Sequence, residues 1–355
     1  KGSGVENTGW GQAVTHTDFN RDGWQDLIVG NDFGVNAYYR NNQNGTFNDV
    51  SQVLGTDKPS YTMGIGLSDL NSDLIPDVYI SNIVTMNKDE KYVLPSEKTT
   101  AKFNPDKLAT MRVVEANDLF LSRVSNEGLL YDHSYAVERG DYSTGWSWDA
   151  DFFDVDNDGD DDLYVTNGMN EFNLYSSENP YYQDPLSNET KNIYIPVSTK
   201  ETNVFFVNDQ GKLKNMSKDS GLDFLGNSRS ATYLDFDNDG DLDVALNNYH
   251  DKSKFYINQA NLLKNNWIKI KLAGNPAKNV SRDAIGARLI ITTNDGKTIW
   301  REVSSTIGYM SVHPKLQHIG LGKSEVKELI VEWPNGDITK LENIKPNQKI
   351  TITMD

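Results

Sequence analysis

The sequence predicts an all-β protein, in which several β-propeller blades precede a small C-terminal β-sandwich or barrel. An acidic nine-residue segment occurs four times, each time between runs of β-forming residues. The copies recur about every fifty residues once two long interruptions are set aside, which is typical of blades with several strands each. From about residue 262 the repeat ends and short alternating strand patterns begin, which indicates a second β-unit.

Each acidic segment places carboxylate or amide oxygens at positions 1, 3, 5 and 9 of a loop. Such dense hard oxygens repel one another unless a hard cation, Ca²⁺ above all, lies among them. With the backbone carbonyl of position 7, the sequence predicts up to four structural calcium sites. The predicted ligands are Asp18, Asn20, Asp22, Trp24 and Asp26; Asp69, Asn71, Asp73, Ile75 and Asp77; Asp154, Asp156, Asp158, Asp160 and Asp162; and Asp235, Asp237, Asp239, Asp241 and Asp243.

Carboxylates at positions 1, 3, 5 and 9 carry a ligand charge of −3 in the first two loops and −4 in the last two. The last two loops are therefore predicted to bind calcium more tightly. An EF-hand is excluded, because its bidentate Glu at position 12 is replaced by aliphatic residues and strand-like runs follow in place of a helix. Those aliphatic residues are Val29, Ile80, Val165 and Leu246.

The strands of each blade are predicted from their position relative to the acidic segment. The first aspartates are separated by 51, 85 and 81 residues, and the second and third units contain interruptions at 83–116 (34 residues) and 168–202 (35 residues). Subtraction gives 85 − 34 = 51 and 81 − 35 = 46, so the period is preserved. One strand precedes each loop, a second follows it directly, and a third is predicted at 36–40, 117–122, 203–207 and 254–257.

These units resemble the FG-GAP/VCBS repeats of integrin α-subunit-type β-propellers, whose hairpin loops read D-x-[DN]-x-D-G-x-x-D. Three copies match fully, whereas the second has Leu74 in place of the glycine and Pro76 beside its last ligand. Four units are at the lower limit for a propeller, and the last one ends after its third strand, at Asn258. We therefore expect these blades to be part of a larger propeller.

The C-terminal region resembles the ASPIC/UnbV domain, on residues that follow one another in the expected order. They are Ala284-Ile285-Gly286-Ala287-Arg288, Arg301-Glu302-Val303, Gly308-Tyr309, His318-Ile319-Gly320-Leu321-Gly322 and Trp333-Pro334-Asn335-Gly336. The predicted division is therefore a blade region at 1–262 and a β-domain at 263–355. The resemblance implies an extracellular or envelope protein and no established chemistry.

The net charge of −17 follows from the loops, whose carboxylates also number 17. Four bound Ca²⁺ would reduce the net charge to about −9, so the acidity is mainly a property of the metal sites and argues against a nucleic-acid partner. No run approaches the ~20 apolar residues of a membrane span. The sequence has no cysteine and therefore no disulfide.

No catalytic motif was found, since neither G-x-S-x-G nor H-E-x-x-H occurs and the histidines are dispersed. The two interruptions join second to third strands, so they should lie side by side on the disc face opposite the calcium loops. The second contains aromatic residues among amides, which suit stacking on a sugar or a protein partner. The predicted ligand-binding residues are Phe172, Tyr175, Tyr181, Tyr182 and Tyr194.

The sequence thus predicts a calcium-binding, non-catalytic module at the cell surface or outside the cell, with a glycan or protein ligand. Two alternatives stay open. One is a polysaccharide-processing enzyme or accessory subunit with its site on the top face of the propeller. The other is an architectural subunit of an envelope or cell-surface complex.

Overall fold

The computed structural model describes residues 2–7, 9–32, 34–83, 117–126, 128–133, 144–168, 200–209, 212–249 and 251–355. Within these ranges the protein is nearly all β, as predicted, with helical turns only at Ser51–Leu54, Ser217–Ser220, Ala260–Leu263 and Pro276–Lys278. None of the described helices is long and apolar enough to cross a membrane. The predicted ligand-binding aromatic residues at 172–194 lie outside the described residues.

Four antiparallel sheets follow one another along the chain, and in each one the strands lie in sequence order. We call them blades 1 to 4. Blade 4 has three strands in its described part, as the sequence predicted. The strands are Gly11–Thr17, Asp26–Asn31, Ala37–Asn41 and Phe47–Asp49; Thr62–Ser68, Asp77–Asn82, Asp118–Ser125 and Gly128–Asp132; Ser147–Phe153, Asp162–Asn167, Val204–Asp209 and Lys212–Asn215; and Ser228–Leu234, Asp243–Asn248 and Lys254–Tyr256.

Consecutive blades pack face to face. One hydrophobic cluster joins Ile28 of blade 1 to Ile80 of blade 2, and equivalent clusters join blade 2 to blade 3 and blade 3 to blade 4. The first strands of successive blades also contact one another. Because both faces of the inner sheets are covered, strands such as Thr62–Ser68, Asp77–Asn82 and Asp162–Asn167 are buried along their whole length rather than at alternate residues.

Two-residue strands link neighbouring blades at the ends remote from the acidic loops. Gly34–Val35 pairs with Pro59–Ser60, and Glu201–Thr202 pairs with Leu225–Gly226. The second pair includes the last two residues of the segment predicted as an interruption. These links lie on the side where the two long interruptions begin and end.

The C-terminal region is a β-sandwich of two sheets around one core. The core contains Ile270 and Ile319 from one sheet and Leu289 and Val331 from the other. In the first sheet the middle strand pairs parallel with the last strand of the chain. The strands are Gln317–Gly322, Asn266–Ala273 and Gln348–Thr353 in one sheet, and Thr298–Glu302, Arg288–Thr293, Val326–Glu332 and Ile338–Ile344 in the other.

Residues 303–316 leave the sandwich and run along the first strands of all four blades. We call this segment the axial hairpin, since Ile307 and Ser311 bridge within it. The hydroxyl of Thr15 in blade 1 donates to Thr306 O of the hairpin (2.9 Å), and the N–H of Gly308 in the hairpin donates to Ile65 O in blade 2 (2.9 Å). Further contacts reach Asp149 and Asp151 in blade 3 and Thr232 and Tyr233 in blade 4.

Candidate metal centres

The four acidic hairpin loops share one backbone conformation. We number them loop 1 (18–26), loop 2 (69–77), loop 3 (154–162) and loop 4 (235–243). Position 6 is left-handed in every loop, with φ between 67° at Leu74 and 102° at Gly240. Loop 2 therefore keeps the common shape although a leucine there costs about 1–2 kcal/mol relative to glycine.

This conformation fixes the first aspartate of each loop. The backbone N–H of position 6 donates to its Oδ2 atom at 2.9 Å in all four loops. In loops 1 to 3 the Oδ1 atom accepts the N–H of position 5, at 3.0–3.1 Å. In loop 4 the Oδ1 atom of Asp235 is buried and accepts no hydrogen bond from the described residues.

The last aspartate of each loop begins the second strand and is buried. Its Oδ1 accepts the backbone N–H that lies two residues beyond the last residue of the third strand paired with the second, from Asn41, Ser122, Asn208 and Asn258 in turn, at 2.6–2.8 Å. Burial raises the pKa of Asp26 and of Asp77 to about 7 and raises that of Asp162 well above its usual range. A buried carboxylate of this kind is costly as an anion unless a cation or further donors compensate it.

Loops 3 and 4 each bring three carboxylates together. One cluster is Asp154, Asp156 and Asp162, and the other is Asp235, Asp237 and Asp239, with candidate ligand atoms all within 4.8 Å of one another. Burial, and then the charges of Asp156 and Asp160, raise the pKa of Asp158 in loop 3 to about 6. Such clusters are costly without a cation, and their all-oxygen chemistry suits Ca²⁺.

Two carboxylate oxygens of loop 4 without hydrogen-bond partners support the fit of a cation to this loop. The buried Oδ1 atoms of Asp235 and of Asp241 have no hydrogen-bond partner in the described part of the chain. Burial, followed by contacts with neighbouring aspartates, raises the pKa of Asp241 to about 7. The residues of loops 3 and 4 therefore form acidic clusters that could hold a metal ion.

Loops 1 and 2 each have one carboxylate fewer at the ligand positions than loops 3 and 4. In loop 1 the side-chain amide of Asn20 donates to Asp22 Oδ2 at 3.0 Å. In loop 2 the hydroxyl of Ser122 lies within 2.9 Å of both Asp73 and Asp77. An asparagine at position 3 removes one carboxylate and adds donor groups, which accounts for this difference. The binding of calcium to these two loops stays a prediction.

The β-sandwich places its own donors on the acidic loops, which the sequence analysis did not find. Lys297 contacts Asp160 at 2.7 Å, Arg301 contacts Asp161 at 2.5 Å, and Arg288 contacts Asp18 at 3.3 Å. Further donors are Lys269, on Asp235, and the N–H of Gly320, on Asp154 Oδ2 at 3.1 Å. Arg288, Arg301 and Gly320 belong to the motifs on which the C-terminal resemblance rested, so a signal for this interface was present.

Alanine substitutions at position 6 of loops 1 and 4 distinguish a contact with the sandwich from backbone strain within the loop. A Cβ atom on Gly240 would lie 2.0 Å from Trp267 Nε1 of the sandwich, whereas one on Gly23 would meet nothing within 4 Å. Both positions have positive φ, so each alanine costs about 1 kcal/mol of backbone strain. We expect Gly23→Ala to cost only this, and Gly240→Ala to lose about 2–4 kcal/mol in urea unfolding. Equal losses would contradict the contact between loop 4 and Trp267.

His16 and His318 make ordinary packing and hydrogen-bond contacts. His16 contacts Gln25 Oε1 at 2.6 Å and Ser305 Oγ at 2.8 Å. His318 stacks on Trp267 with ring centroids 6.0 Å apart, and burial lowers its pKa to about 3. His318 also contacts Asn157 Oδ1 of loop 3 at 2.7 Å, so both residues join the blades to the sandwich.

A cavity of about 150 Å³ lies between the first strands and the sandwich. Three polar pairs line it: Asp151 with His313, Asp161 with Arg301, and Glu302 Oε2 with the hydroxyl of Thr17 at 3.0 Å. Burial raises the pKa of Glu302 to about 7. The groups lining this cavity hold the two units together.

Comparisons with known families and proteins agree with this architecture. Residues 18–80, which contain loops 1 and 2, match the family model described as FG-GAP-like repeat. Residues 276–355 match the model described as ASPIC and UnbV. Both matches fall on the regions whose motifs predicted them.

The curated relatives include cartilage acidic protein 1 from Xenopus tropicalis, 25% identical over 331 residues and 88% of this chain, and from Homo sapiens, 22% identical over 339 residues and 94% of this chain. The chain spans 40% and 42% of their lengths. Integrin alpha-7 from Mus musculus is 36% identical over 84 residues, which cover 21% of this chain and 7% of the integrin.

Proposed function

We propose that this chain, in which FG-GAP repeats precede an ASPIC/UnbV domain, is a calcium-stabilised and non-catalytic binding module that acts outside the cell or at its surface. The observation that carries the proposal is the pair of carboxylate clusters in loops 3 and 4. Neither matching family model names an enzyme.

Calcium would act here on structure. The ion would neutralise carboxylates that otherwise repel one another and would fix hairpins that have little core of their own. Those hairpins also carry the contacts to the sandwich, through Asp154 to Gly320 and through Asp235 to Lys269. Bound calcium would therefore stabilise both the blades and their interface with the sandwich.

The relatives support the proposed location. One is an integrin alpha subunit and another is named for cartilage, which supports an extracellular or cell-surface place for this chain too. Since the chain spans less than half the length of the cartilage acidic proteins, we propose for it a binding role and not the whole activity of such proteins. Other subunits of a cell-surface complex are candidate partners.

The ligand site is proposed on the face opposite the loops. Both long interruptions start there, after Asn82 and Asn167, where buried amides tie the second strands to the third ones. The aromatic residues proposed to contact a glycan or protein are Phe172, Tyr175, Tyr181, Tyr182 and Tyr194.

Glycan arrays and pulldowns from extracellular material, each with calcium and with chelator, test this function. We expect a ligand that binds in calcium, and a loss of at least about tenfold in affinity on Tyr181→Ala and Tyr182→Ala, as for aromatic hot spots. Phe255→Ala, which changes an exposed aromatic residue within the third strand of blade 4 rather than at the strand ends of that face, serves as the control. Unchanged affinity in the double variant would place the ligand elsewhere.

A further inference from the structure

Besides the position-6 N–H, the Oδ2 atom of the first loop aspartate accepts a donor from the sandwich in loops 1, 3 and 4, and this donor differs from loop to loop. In loop 3 it is a neutral donor, the N–H of Gly320, at 3.1 Å from Asp154. In loop 4 it is a cation, the ammonium group of Lys269 on Asp235. In loop 1 it is the guanidinium of Arg288, at 3.3 Å from Asp18.

Loops 3 and 4 have the same predicted ligands. Each has four aspartates at positions 1, 3, 5 and 9, and each has the position-6 N–H on the first aspartate at 2.9 Å. The number of carboxylates at ligand positions therefore predicts equal affinity for calcium. Of the sandwich cations that contact these two loops, Lys269 lies on a ligand carboxylate, whereas Lys297 and Arg301 lie on the side chains of Asp160 and Asp161, which are not predicted ligands.

We propose that Lys269 is a tethered cation that lowers the calcium affinity of loop 4, so that loop 3 fills first. The inference rests on the calcium binding proposed above. The sandwich thereby sets the order in which the matched loops bind.

Burial makes this charge effective. The side chain of Lys269 is 7% exposed and that of Asp235 is 3% exposed, so solvent and salt screen the pair weakly. The ammonium group contacts one oxygen of Asp235, while the other oxygen is buried and has no hydrogen-bond partner among the described residues. That second oxygen is the one available to an ion, and the nearby positive charge disfavours a divalent cation there.

The coupling is reciprocal. If Lys269 weakens calcium binding at loop 4 by a given factor, calcium in loop 4 weakens the contact between Lys269 and Asp235 by the same factor. In loop 3 the sandwich cations Lys297 and Arg301 contact the side chains of Asp160 and Asp161, which are not predicted ligands, and the first aspartate receives a backbone amide instead. Calcium is thus expected to strengthen the sandwich contact at loop 3 more than at loop 4.

Calcium titration by calorimetry tests the proposal on the full chain, with Lys269→Gln as the variant and Lys271→Gln as the control. Lys271 lies two residues further on the same strand and is exposed. We expect Lys269→Gln to tighten one site by about tenfold, the lower end of effects seen for groups that contact metal ligands. We expect Lys271→Gln, and the charge-conserving Lys269→Arg, to keep the wild-type affinity.

A second pair of variants assigns the effect to loop 4. Asp237 is exposed at position 3, and Asp237→Ala disables that loop. In this background Lys269→Gln should no longer alter calcium binding, which is the expected result of a double-mutant cycle. If Lys269→Gln loses stability in chelator, its rise in thermal midpoint on adding calcium should exceed that of the wild type.

Three results would overturn the inference. Lys269→Gln could bind calcium no more tightly than the wild type, it could shift by the same factor as Lys271→Gln, or its effect could persist in the Asp237→Ala background. Absence of calcium binding in every variant, wild type included, would overturn the proposed function and this inference with it.

Discussion

If loops 3 and 4 bind calcium as proposed, we expect its removal to lower the thermal midpoint of the protein by about 10 °C. Each site held at a hundredfold excess over its dissociation constant adds about 2.7 kcal/mol to stability, so loops 3 and 4 together add about 5 kcal/mol. For a unit of this size about 1 kcal/mol shifts the midpoint by 2–4 °C. Differential scanning fluorimetry in about 2 mM calcium and in excess chelator measures the shift. Extracellular calcium modules bind the ion in this concentration range.

The double variant Asp156→Ala, Asp237→Ala is the control for this prediction. It removes one carboxylate from each cluster at partly or fully exposed positions. We expect its midpoint in chelator to equal or exceed that of the wild type, because repulsion is relieved, and to change little when calcium is added. A wild-type midpoint that is the same with and without calcium would contradict a structural role for the ion.

We expect Asp149→Ala to lower the free energy of unfolding by about 3–5 kcal/mol. This buried carboxylate accepts the N–H of Ala231 at 2.8 Å, the N–H of Tyr309 at 2.6 Å and the hydroxyl of Ser311 at 3.3 Å. It therefore joins blades 3 and 4 to the axial hairpin. Its loss leaves buried donors unpaired, at about 1–3 kcal/mol each. Urea unfolding followed by circular dichroism measures the change.

Asp57→Ala is the control for this prediction, because Asp57 is an exposed aspartate of the linker between blades 1 and 2. We expect it to change stability by less than about 0.5 kcal/mol. Limited proteolysis should cleave the axial hairpin of the Asp149→Ala variant faster than that of the wild type. A variant as stable as Asp57→Ala would show that the hairpin is not held at Asp149.

The blades could be predicted because their signal is local. A loop of nine residues contains its own oxygen pattern, and the strand runs on either side of it are contiguous in sequence. The strand Ile338–Ile344 was not predicted, because its local signal is weak. It pairs at the edge of its sheet and contains charged residues such as Lys340 and Glu342, so few of its residues are apolar.

The interface could not be predicted in the same way, because its partners are far apart in the sequence. Arg288 and Asp18 are separated by 270 residues, and Tyr309 and Asp149 by 160. A lysine such as Lys269, between two isoleucines on a strand, reads as a solvent-facing residue until the strand is placed against loop 4. Only the tertiary arrangement shows which cation meets which carboxylate.

Anomalous diffraction from crystals grown in calcium tests the central claim most directly. The account predicts anomalous peaks within loops 3 and 4, each surrounded by carboxylate oxygens of Asp154, Asp156 and Asp162 or of Asp235, Asp237 and Asp239. Crystals in millimolar calcium whose maps show no peak in either loop would contradict it.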